Sequence, residues 1–207
     1  LSVWLNASSI SVSNGSNINS WGDISGNNNN FTQSSAPLKP IFTETSSIGG
    51  KPAVQFYSDH LVSSSISSLN TSNQSWFLVH NFSNPSVQVL FRSSYTSGSS
   101  SSLASSQLLG VYSSNTDGIK QYVRASNGNI KANTQTSISG SHISSSVWSS
   151  TTLSSFTDNT LVSNISTGNV SPSGHNLICL GANSTTPSDN FLPYIGQIAE
   201  FILFNTD

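Results

Sequence analysis

Charge is what this chain has least of. Only 7% of its 207 residues are Asp, Glu, Lys or Arg, against about 25% in soluble proteins generally. Ser, Thr and Asn fill the gap, so solubility rests on neutral hydroxyls and amides, which salt screens little. The six basic residues, Lys39, Lys51, Arg92, Lys120, Arg124 and Lys131, are scattered through a chain of net charge −2. No patch among them could neutralise several phosphates, which argues against nucleic acid as a partner. A single cysteine, Cys179, excludes an internal disulfide framework, and in Leu177-Ile178-Cys179-Leu180 it reads as a core position. No apolar window approaches the length of a membrane-spanning helix. Methionine is absent and the chain starts at Leu1, which implies processing for export or excision from something longer.

Catalytic constellations are missing too. Asp23, Glu44, Asp59, Asp117, Asp158, Asp189, Glu200 and Asp207 are isolated from one another, so no glycosidase-type carboxylate pair stands on one strand. His60, His80, His142 and His175 show no metal-ligand spacing, and no Gly-x-Ser-x-Gly elbow occurs. The expectation is a chain that is not an enzyme and holds no cofactor. Calcium at Asp23 is the sharper reading of that residue, and it lacks a second acidic residue nearby in sequence.

Hydrophobic residues make up 34% of the chain and aromatics 9%, enough for a core and unlike a disordered segment. They recur in short alternating or β-branched runs bounded by Asn, Gly and Ser, with no helical period. Strands are predicted near residues 2–5, 40–43, 53–57, 75–81, 87–92, 108–112, 119–124, 129–133, 147–156, 160–164, 176–181 and 197–205. Asn127-Gly128, Asp117-Gly118 and Asp158-Asn159 supply tight-turn chemistry. So many short strands bury their faces as two packed sheets, an all-β antiparallel sandwich in one domain over 1–207. Asn27–Asn30 and Ser97–Ser106 read as mobile polar loops.

The ends of the chain are the most specific feature. Val3-Trp4-Leu5-Asn6 and Trp21-Gly22-Asp23-Ile24-Ser25-Gly26-Asn27, with Gly50-Lys51-Pro52-Ala53-Val54-Gln55-Phe56 and the closing Ile198-Ala199-Glu200, resemble the laminin-G-like, concanavalin A-like lectin-glucanase family. That resemblance implies a jelly roll whose first and last strands lie together. Where the family usually carries an acidic pair, this chain has Asp59-His60, which puts an ion site there in doubt. Trp4, Trp21, Asp23 and Glu200 are read as structural anchors, Asp23 closing an Asx-type turn. Alternation puts Glu200 on the face of Ile198 and Ile202.

Function is read as a non-catalytic extracellular or virion-surface module for display, adhesion or coat decoration, with copies of itself or other coat and surface proteins as partners. The alternative is a lectin-like domain, with Trp148, Tyr95, Tyr112 and Tyr122 as sugar-stacking candidates. Asn-x-Ser/Thr sequons occur about as often as this composition gives by chance; Asn70, Asn73 and Asn183 are the loop positions best placed for glycosylation.

Overall fold

The computed structural model describes residues 1–70, 73–83, 88–95, 109–114, 118–124, 130–135, 140–149, 151–168, 175–182 and 193–205. In chain order its strands are β1 (Val3–Asn6), β2 (Ser20–Trp21), β3 (Phe31–Thr32), β4 (Ile41–Thr43), β5 (Ala53–Tyr57), β6 (Leu61–Ser63), β7 (Gln74–Phe82) and β8 (Gln88–Tyr95). They continue as β9 (Leu109–Ser114), β10 (Gly118–Arg124), β11 (Ile130–Gln135), β12 (Gly140–Trp148), β13 (Thr152–Thr157), β14 (Thr160–Ser166), β15 (His175–Leu180) and β16 (Ile195–Asn205). Helical structure among these residues is limited to short 3-10 turns, and none of their helices is long and apolar enough to cross a membrane.

The strands form two antiparallel sheets packed as a sandwich. One has the order β14-β13-β12-β7-β16-β5-β4, with β1 on the half of β16 that β5 leaves free. The other has the order β11-β10-β9-β8-β15-β6-β3-β2. Alternation builds the core between them: Trp76 and Leu78 of β7 point inward, fully buried. Phe201 of the first sheet meets Phe31 and Phe91 of the second at ring-centroid distances of 6.2 and 5.1 Å, and Trp76 meets Phe91 edge-on at 6.0 Å. Such aromatic pairs add about 1 kcal/mol each beyond burial.

Several sequence expectations change. The run 147–156 is two strands, β12 and β13, reversed by a turn in which Ser149 and Thr152 exchange backbone hydrogen bonds of 2.9 and 3.3 Å. The first part of β12 gave no apolar alternation because two of its inward positions are serines. Ser144 Oγ lies 2.8 Å from His80 Nε2, and Ser146 Oγ donates to Gln121 Oε1. The loop Asn27–Asn30, expected to be mobile, is instead pinned: the Asn27 and Asn29 amides donate to the carbonyls of Leu1 and Ser2 at 2.9 and 2.8 Å, and Asn30 Oδ1 accepts from the Asp23 N–H. Asp158 and Asn159 both have positive φ, 47° and 66°, and form the expected hairpin turn between β13 and β14. Ser97–Ser106, Asn127-Gly128 and Asp117 lie outside the described residues.

Candidate functional site

Among the described residues, hydrogen bonds clamp the ends of the chain. Asp23 Oδ1 accepts from the backbone N–H groups of Trp4 and Ser25, both at 2.9 Å. Its Oδ2 accepts from Ser25 Oγ at 2.8 Å and from the Asn29 N–H at 2.9 Å. Partial burial pushes the carboxyl pKa up, but these donors outweigh it and hold the group below its ordinary 3.8. Four donors thus face the two oxygens of this carboxylate. At the far end Glu200 Oε1 accepts from Trp4 Nε1 at 2.7 Å and Asn6 Nδ2 at 3.2 Å.

Glu200 does not share a face with Ile198. A bulge between Ile198 and Glu200 shifts the register against β7, so Ile198 and Phe201 point inward while Glu200 and Ile202 point out. Trp21 is fully buried in the core. Replacing Asp23 by Ala strands three backbone N–H groups, and a loss of about 2–4 kcal/mol in urea denaturation is expected. A loss below about 1 kcal/mol would show that solvent satisfies them.

The sugar-stacking candidates fare differently. Trp148 is 1% exposed and part of the core, because β12 turns it inward opposite Leu153; its ring is closed to a ligand, correcting the sequence reading. Tyr95, Tyr112 and Tyr122 fall in β8, β9 and β10, with side chains outside the described set. Of the glycosylation positions, Asn73 precedes β7 half-buried, the Asn70 side chain is not described, and Asn183 lies outside the described residues.

The structure brings together a group that sequence reasoning did not. Asn19, Thr32, Gln33, Ser34, Lys39, His60 and Val62 line a pocket of about 560 Å³ at the β3/β6 margin of the second sheet. Three connections build its floor. The Gln33 N–H donates to Asn19 O at 3.0 Å, the His60 N–H to Leu38 O at 3.3 Å, and Gln33 Nε2 donates to His60 Nε2 at 2.9 Å. That last bond makes His60 Nε2 the acceptor, and burial pushes the ring pKa down to about 4, so His60 is neutral at pH 7. Gln33 Oε1 accepts from the Ser35 N–H at 2.9 Å, so this amide positions the loop. Asn19, Thr32 and Ser34 are exposed, and half-buried Lys39 makes no ion pair among the described residues.

Thr32 and Val62 of the pocket belong to a register row that continues through Cys179 to Arg92, both buried. Arg92 is 4% exposed and its Nε has no hydrogen-bond partner. Burial pushes the Cys179 thiol up to about 12, with the Arg92 charge opposing the shift. No carboxylate lines the pocket, so these walls can hydrogen-bond hydroxyls and attract an anion but cannot supply an acid–base carboxylate pair. Its residues carried no spacing signal, since Gln33 and His60 are brought together only by the pairing of β3 with β6. Among the described residues no three His, Cys, Asp or Glu side chains gather as a metal site.

No protein-family model matches the chain, and no curated protein matches it by sequence. Its fold is similar to several solved structures. The receptor binding domain of botulinum neurotoxin mosaic serotype C/D gives a TM-score of 0.68 at 12% identity, over 100% of this chain and 47% of that one. Trypanosoma rangeli sialidase gives 0.67 at 9% identity, over 98% of this chain and 30% of that one. The CBM40 of a Ruminococcus gnavus IT-sialidase, solved bound to alpha2,3 sialyllactose, gives 0.54 at 12% identity, over 65% of this chain and 76% of that one. The chain thus spans less than half the length of the first two. At these identities the likeness establishes the β-sandwich fold and nothing finer.

Proposed function

We propose that the chain is a non-catalytic recognition module that works outside the cell and holds a hydroxyl-rich glycan in the pocket between Asn19, Thr32, Ser34 and Lys39. The observation that carries this reading is the pocket itself. Its volume, about 560 Å³, suits one or two sugar rings, and it is walled by amide, hydroxyl and imidazole groups with one cation and no carboxylate. Sugar hydroxyls exchange water for such groups at little desolvation cost, and Lys39 adds attraction for an acidic substituent. The receptor-binding neurotoxin domain and the sialyllactose-bound CBM40 support a binding role for the same sandwich.

Binding here needs no metal in this reading, since no carboxylate lines the pocket to hold one. A glycan array on the intact chain tests it, followed by titration calorimetry with the best ligand. Asn19→Ala and Lys39→Gln are each expected to weaken binding about tenfold, equivalent to about 1.4 kcal/mol, with EDTA without effect. No ligand on the array, or a ligand indifferent to both substitutions, would remove the pocket from consideration.

A further inference from the structure

A second cavity, of about 360 Å³, lies at the other end of the β3/β6 ladder from the pocket beside Lys39. Ser2, Asn27, Asn29, Ser65, Ile66 and Ser67 line it. Thr32 of the first pocket is three residues on from Asn29, and Ser65 is three on from Val62, so about 10 Å of extended chain separates the two cavities on either strand. The surface between them is mostly polar. Thr32 and Ser64 are exposed, Asn30 and Val62 are half-buried, and the Ser64 N–H donates to Asn30 O at 2.9 Å, carrying the ladder one step past β6.

We propose that the two cavities are subsites for one linear oligosaccharide, lying along β3 and β6 with an acidic ring beside Lys39 and neutral rings reaching Asn27 and Ser67. The proposal rests on the glycan reading of the first pocket and adds a second subsite and a direction. Chemistry is the first argument, since the second cavity offers hydroxyls and amides, one isoleucine and no charged side chain. The Asn27 and Asn29 amide nitrogens are taken by the carbonyls of Leu1 and Ser2, at 2.9 and 2.8 Å, which leaves their Oδ1 atoms to accept from sugar hydroxyls.

Fixed walls are the second argument. The Asn29 N–H donates to Asp23 Oδ2 at 2.9 Å, the Ile66 N–H to Asn176 O at 2.6 Å, and Asn176 Nδ2 to Ser65 Oγ at 3.2 Å. Groups already ordered cost little to organise when a ligand arrives. Charge supplies the direction: Lys39 stands at one cavity, whereas the Asp23 carboxylate stands behind Asn29 at the other. An acidic substituent is drawn to the first and repelled from the second.

A glycan array carrying mono- to hexasaccharides of neutral hexose, N-acetylhexosamine and alternating uronate–hexosamine chains tests the proposal, followed by titration calorimetry with the alternating series. Affinity is expected to rise at least about tenfold from disaccharide to tetrasaccharide. Ser67→Leu and Ser65→Leu, both at exposed positions, should each abolish that gain and leave disaccharide binding unchanged, whereas Lys39→Gln should weaken both lengths. Equal affinity at every length, or a gain that survives both leucine substitutions, overturns the second subsite and leaves the first pocket standing. Preference for the neutral chains overturns the direction. No binding by any series removes both sites together.

Discussion

Acidification from pH 7 to pH 4 is expected to remove on the order of 5 kcal/mol of folding stability, a large part of the roughly 5–15 kcal/mol typical of a folded domain. The cause is a pair of histidines buried in the neutral form. Burial pushes His60 down to about 4 and His80 to about 3 from an ordinary 6.5, His80 further disfavoured as a cation by nearby His142 and partly restored by Asp158. Both folded-state pKa values are depressed, so below about pH 6.5 the unfolded chain takes up protons that the folded one refuses. Stability is then lost steadily as pH falls toward the folded values. His80 cannot escape by moving, since it is fully buried, 2.8 Å from Ser144 Oγ and edge-on to Phe82. Urea midpoints at pH 7, 5.5 and 4 measure the effect, and His60→Gln with His80→Gln should flatten it. A midpoint constant down to pH 4.5 would mean that the rings titrate freely. The Asp23 clamp acts in a separate window: its pKa is held below 3.8, so its contribution is intact above that value and fades only at lower pH.

The second large effect is expected at two glycines, for different reasons. Gly181 follows β15 with φ +87°, accepts from the Tyr194 N–H at 2.7 Å, and lies where a Cβ would run into the Phe56 ring and come within 2.7 Å of Asp59 O. Gly181→Ala combines left-handed backbone strain with overpacking, for a cost of about 3–5 kcal/mol. Gly196 has no such backbone strain. Its Cβ would collide with Asn81 O and stand 2.5 Å from the Tyr194 hydroxyl, which donates to Asn81 O at 2.6 Å. Gly196→Ala therefore displaces a buried tyrosine from its acceptor, at about 2–4 kcal/mol. Thermal unfolding of both variants checks the ranking; a shift of under about 2 °C in either would show that the neighbours give way freely.

How far the sequence could be read depended on whether a feature was local. The hairpin at Asp158-Asn159 was legible because two adjacent positive φ values require small polar residues. The inward placement of Trp76, Leu78 and His80 was legible because β7 keeps a strict period of two. That period failed at Glu200, where one bulged residue reverses the phase and leaves no trace in composition. It failed again in β12, whose buried serines are satisfied by His80 and Gln121 and so imitate an exposed strand. β2 and β3, two residues each, are too short for any pattern to show. The pocket was illegible for a related reason, since its walls come from β3, β6 and the loops before β2, after β3 and before β6, joined only by folding. Trp148 misled because strand aromatics look alike in sequence whichever face they occupy.

The pairing of β1 with β16 has a mechanical consequence. Val3 faces Leu203 and Asn6 faces Glu200, so the outer ends of both strands leave the sandwich at the same point. Tension applied across those ends pulls the two strands apart like a zipper, loading one rung at a time, rather than shearing all of them together. Such a module yields at low force when stretched end to end.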